Sequence, residues 1–101
     1  MNKMMKILKL AKDRKRIMKE SLEGSLGIIK NNLYNLNGTS KDDEVSKTWY
    51  DKYLNELRTN VQGYKDRSNN SKKNFGVKFP ELQKQYEEML PEINKYLGVK
   101  N

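Results

Sequence analysis

Apolar residues in the first third of the chain recur at Met4, Leu8, Ala11, Met18, Leu22, Leu26, Ile29, Leu33 and Leu36. The steps are three or four, with one of seven across Lys15, which lines a single face of a helix. The spacing predicts a long helix over 3–36. Gly24 and Gly27 lie inside it and each cost about 1 kcal/mol relative to Ala. The pattern keeps its phase through them, which favours one continuous helix over a break at 23–27. Asn37-Gly38 ends it, with Gly38 suited to a left-handed terminal position.

A second helix is expected over 41–66. Ser40 with Asp43, or Thr39 with Asp42, resembles a capping box, and Asp42, Asp43 and Glu44 place negative charge where the helix dipole favours it. Val45, Trp49, Tyr53, Leu57, Val61 and Tyr64 are its expected buried stripe. Residues 67–79 show no helical period and many turn formers, so they read as a loop. Pro80 suits the first turn of a third helix over 80–97, with Leu82, Tyr86, Met89, Ile93 and Tyr96 buried and Gly98 at its end. Pro91 predicts a kink there, or two short helices. The fold class is therefore all-α: a three-helix antiparallel bundle, or a helical hairpin plus a third helix, in one domain over 1–101.

Composition narrows the chemistry. Leu, Ile, Val and Phe make up 22 of 101 residues and the net charge is +8, close to the level at which charged chains fail to fold. The core must be thin, which favours self-association, and a homo-oligomer through the N-terminal helix, burying Met4, Leu8 and Ala11, is expected. The absence of Cys and His removes disulfides, thiolate nucleophiles, imidazole bases and the usual zinc sites. No metal or cofactor is expected. No apolar run approaches the roughly 18 residues that cross a bilayer, and the N-terminus lacks the apolar core of a secretory signal. A cytoplasmic location follows as the expectation.

Charge is placed unevenly. Residues 1–36 carry nine basic and three acidic groups, and residues 68–79 three basic and no acidic ones, while the remaining stretches are close to balanced. Along residues 3–20, Lys6, Lys9, Lys12, Lys15, Arg16 and Lys19 face away from Met4, Ile7, Leu8, Ala11 and Met18. This basic amphipathic helix suits an anionic partner. Lysines along one ridge repel at a few tenths of a kcal/mol per close pair unless an anion neutralises them. Lys72, Lys73 and Lys78 interleave with Phe75 and Phe79, a pattern able to combine phosphate contact with base stacking. Phe79 reads better as a staple onto the helical core. Tyr50, one step off the buried stripe, and Phe75 are the candidates for stacking or partner contact.

Sequence-independent association with nucleic acid through phosphate is the leading expectation, in a non-enzymatic binding protein. Lys outnumbers Arg 17 to 4, and Lys reads base edges poorly. The alternative is a protein-interaction module, of the phage-inhibitor or assembly-factor kind, on an acidic protein surface. A membrane-surface protein of the small helical immunity type ranks lower. A lysine-rich face that only confers solubility is the plain competing explanation. Glu87-Glu88 and Asp42-Asp43 look like solvated surface and cap, and slender helices offer little cleft for acid–base work.

Overall fold

The computed structural model describes the backbone of residues 3–98 and the side chains of 12–74 and 76–98. Three helices pack together: α1 (Lys3–Asn37), α2 (Glu44–Phe75) and α3 (Pro80–Leu97). The protein is all-α, and each helix touches both others. Antiparallel pairing of α1 and α2 is fixed by cross-links that climb one helix while descending the other. The Arg67 guanidinium donates to Ser25 Oγ, and Asn60 Nδ2 donates to Asn32 Oδ1 at 2.7 Å. α3 runs back along α2 and beside α1. Tyr64 donates to Gln83 near its start and Tyr96 to Asn37 near its end.

α1 continues unbroken through Gly24 and Gly27. Its buried side chains are Leu22, Ser25, Leu26, Ile29, Asn32, Leu33 and Leu36. Their three- and four-residue steps make the stripe that meets the other two helices. Residues 12–21 contribute no buried side chain. Met4, Leu8 and Ala11 lie outside the described side chains. The bundle core therefore begins at Leu22, and the helix N-terminal to it extends the molecule to 64 × 26 × 18 Å.

α2 departs from the sequence expectation in three ways. It starts at Glu44, because Asp43, and neither Thr39 nor Ser40, is the N-cap; its carboxylate accepts from the Ser46 amide at 2.8 Å. These hydrogen bonds hold the Asp43 carboxyl below its ordinary range. The buried stripe is Tyr50, Leu57, Val61 and Tyr64, with Leu54 and Tyr53 half-buried against it. Val45 and Trp49 are 71 % and 48 % exposed, and Tyr50 is 8 % exposed. Successive steps of four gain about 40° each on a helix of 3.6 residues per turn. Reading back from Leu57 by fours therefore drifts off the core face, whereas alternating three and four reaches Leu54 and Tyr50. Tyr50 packs edge-on to Tyr96, centroids 6.4 Å apart, and is a core residue rather than a partner surface.

The third departure is the expected loop at 67–79, of which only residues 76–79 are non-helical. Residues 67–75 lack apolar period because the stripe continues in serines. Ser68 is half-buried and Ser71 is buried, at the spacing that follows Tyr64. Gly76, at φ 65°, closes the helix. Its N–H donates to Lys72 O, the single bond of an αL helix end, and that of Val77 donates to Ser71 O. Ser71 Oγ also donates to the Val77 carbonyl at 2.9 Å. α3 is one helix through Pro91 rather than two short ones. Ile93 is buried on one side of the proline, Leu82 and Tyr86 on the other, and Gly98 in the left-handed region ends the helix.

Candidate functional site

At about 100° per residue, Lys12, Lys15, Arg16 and Lys19 fall within a sector roughly 100° wide on α1. That sector borders the core stripe on the side toward α3. Lys15 does not share the far side of the helix expected of it from the sequence: it stands seven residues before Leu22 and lies nearly in line with the core face. A cation there stops the apolar stripe, which is why burial begins only one heptad later. All four are exposed. Arg16 reaches Asp13 at 3.8 Å and Lys19 reaches Glu23 at 3.9 Å; such exposed pairs are worth little and leave both cations available. Arg14, also exposed, adds a charge that the ridge pattern leaves out.

The second basic segment comes to the same end of the bundle. The short turn after Gly76 delivers Lys78, Phe79 and Pro80 against α1. One open groove is lined by Lys15 and Lys19 from α1, Lys78 and Phe79 from the turn, and Pro80, Glu81 and Leu82 from α3. A neighbouring groove, floored by Leu22, Tyr64 and Val77, is lined by Lys72, Lys78 and Phe79 together with Ser68 and Ser71. Lys78 thus stands between two grooves and joins the two basic segments. Phe79 is half-buried against the core cluster, as a staple residue is expected to be, and it walls both grooves. The Phe79–Pro80 start of α3 has no side-chain cap, and Glu81 is the carboxylate that lines the groove beside the lysines.

Of the residues singled out from sequence, Lys15, Lys19 and Lys78 are brought together, with Lys72 beside them and Lys12 and Arg16 on the adjoining helix surface. Lys73 is exposed on the last turn of α2. Tyr50 is removed to the core, far along α2. The side chains of Lys6, Lys9 and Phe75 lie outside the described residues. The convergence of Lys78 on Lys15 has no signal in the sequence, because it depends on where α2 ends. No helix among the described residues is long and apolar enough to cross a membrane. Comparisons with protein-family models, with curated proteins and with solved structures return no match to this chain.

Proposed function

We propose that the chain is a non-enzymatic binding protein that holds the phosphate backbone of nucleic acid, without sequence preference, at the lysine-lined end of its bundle. The observation that carries this reading is the single groove shared by Lys15, Lys19 and Lys78, with Phe79 as its apolar wall. Lys72 and Lys73, and Lys12 and Arg16, extend the positive surface to either side. Ammonium groups on flexible stems suit phosphates as point charges and carry little base information. A cytoplasmic location belongs to this reading.

Binding of this kind releases counterions, so affinity falls steeply with salt. Titration of the full chain against labelled random-sequence DNA and RNA, by fluorescence anisotropy, tests it. About six phosphate contacts predict a loss near 10³ in affinity between 50 and 200 mM salt. Changing Lys15, Lys19 and Lys78 together to Ala should lower the slope of log affinity against log salt by about three. Absence of binding at about 50 mM salt, or a slope that the triple change leaves intact, overturns the proposal.

A further inference from the structure

The serines that extend the α2 stripe leave space in front of them. Ser68 and Ser71 take the core-facing positions that follow Leu57, Val61 and Tyr64, and their side chains are too short to fill that volume. The result is an open cavity of about 180 Å³. Leu22, Tyr64 and Val77 floor it, and Phe79 and Pro80 wall it. Its size lies below the roughly 300–1,000 Å³ of sites for drug-sized ligands. A single planar ring system suits such a space, and a base pair or a peptide helix does not.

Charge narrows the occupant further. Lys72 and Lys78 are the charged groups at the rim, and among the described residues no carboxylate lines the cavity. Lys78, Phe79 and Pro80 also belong to the adjoining groove, where Lys15 and Lys19 stand. The matching ligand is a flat, largely apolar ring carried on an anionic chain, and a nucleotide holds its base one sugar away from its phosphate. Hydrogen bonding inside the cavity is already committed. The Tyr64 hydroxyl donates to Gln83 Oε1 at 3.2 Å, Gln83 Nε2 donates to Glu87 Oε1 at 3.4 Å, and Ser71 Oγ donates to the Val77 carbonyl at 2.9 Å. The cavity therefore offers apolar contact and stacking rather than readout of a base edge, which any base can accept.

We propose that this cavity receives one unpaired base of a strand whose phosphates lie on Lys72, Lys78 and the Lys15–Lys19 groove, so that the partner is single-stranded. The inference rests on the polyanion reading and adds the form of the strand to it. A duplex keeps its bases paired and stacked, and extruding one costs free energy. A surface of lysines alone would favour the duplex, whose phosphates release about 0.9 counterion per contact against about 0.7 for a single strand.

Fluorescence anisotropy with the full chain at about 50 mM salt compares three labelled probes about 12 nucleotides long. They are oligothymidylate, an abasic strand of the same length and charge, and a duplex. Oligothymidylate should bind about tenfold more tightly than the abasic strand, and more tightly than the duplex, while the two single strands show the same salt slope. Ser68→Leu fills the cavity and should bring the ratio of thymidine to abasic affinity to about one, with helicity checked by circular dichroism. If Ser68→Leu lowers helicity, the methyl resonances of Leu22 and Val77 in the unaltered chain decide. They should shift with oligothymidylate and stay in place with the abasic strand. Equal affinity for the thymidine and abasic strands, or a duplex bound more tightly than oligothymidylate, overturns the inference and leaves the phosphate reading standing. A well-folded Ser68→Leu chain that keeps the preference also overturns it, since the base would then sit elsewhere. Binding to none of the three probes removes both readings.

Discussion

Tyr64 and Tyr86 stack at the centre of the α2–α3 contact, with centroids 4.5 Å apart and planes 27° from parallel. Their hydroxyls fare differently. That of Tyr64 donates to Gln83 Oε1 at 3.2 Å, whereas the buried Tyr86 hydroxyl has no hydrogen-bond partner among the described residues. Such burial costs about 1–3 kcal/mol in proteins, and phenylalanine would keep the stack without it. Tyr86→Phe should therefore stabilise the fold by about 1 kcal/mol, read as a higher urea midpoint at unchanged slope; a lower midpoint would mean the hydroxyl is satisfied after all. Burial pushes both phenols above their ordinary 10.0. The folded chain thus holds these protons more tightly than the unfolded one. Stability is complete below pH 10 and is lost as pH rises through the folded-state values. Tyr86→Phe removes one of the two titrating groups and should shift alkaline unfolding to higher pH.

At the scale of elements, α1 gives a second stability prediction. Gly24 and Gly27 are exposed, and a Cβ at either would meet nothing within 4 Å. Neither takes a positive φ, so alanine fits both the backbone and the space. Gly24→Ala and Gly27→Ala should each stabilise by up to about 1 kcal/mol through helix propensity and a less disordered unfolded chain; thermal unfolding of the single and double variants checks this. The same helix was the most legible in the sequence, because its apolar steps alternate three and four and so stay on one face. The stripe of α2 was misread at its start for the opposite reason. Val45, Trp49, Tyr53 and Leu57 are all four apart, a spacing that spirals across the helix surface. Its last turns were hidden because Ser68 and Ser71 hold core-facing positions with polar side chains. Ser71 is tolerated there because its hydroxyl bonds the Val77 carbonyl. Asn32 is the equivalent in α1: it is buried, accepts from Asn60 and donates to Glu56 Oε2 at 3.3 Å. Such polar positions hold helix register more than they add stability, and hydropathy alone does not find them.

Across the whole molecule, burial and positive charge are separated along the long axis. The core runs from Leu22 to the α1–α2 turn, while residues 12–21 carry Lys12, Arg14, Lys15, Arg16 and Lys19 with no buried side chain. The basic helix was evident from composition and spacing; its meeting with Lys78 was not, since that follows from the late end of α2. Helix without tertiary cover is marginal in water. Here Lys12–Lys15, Lys12–Arg16, Lys15–Lys19 and Arg16–Lys19 add like-charge repulsion at a few tenths of a kcal/mol each. This part of α1 should therefore open locally at far lower cost than the bundle. Brief trypsin treatment should cut first between Lys12 and Lys19 and leave a folded remainder that keeps Leu22 through Ile93. A polyanion that neutralises the lysines removes the repulsion and covers the cleavage sites. Adding random-sequence DNA at low salt should then slow cleavage at Lys15 and Lys19 and raise the helical signal, and both effects should vanish at high salt. Early cleavage elsewhere in the bundle would contradict the burial gradient. Cleavage between Lys12 and Lys19 that DNA fails to slow would leave the gradient standing and remove the phosphate backbone as the partner of this surface.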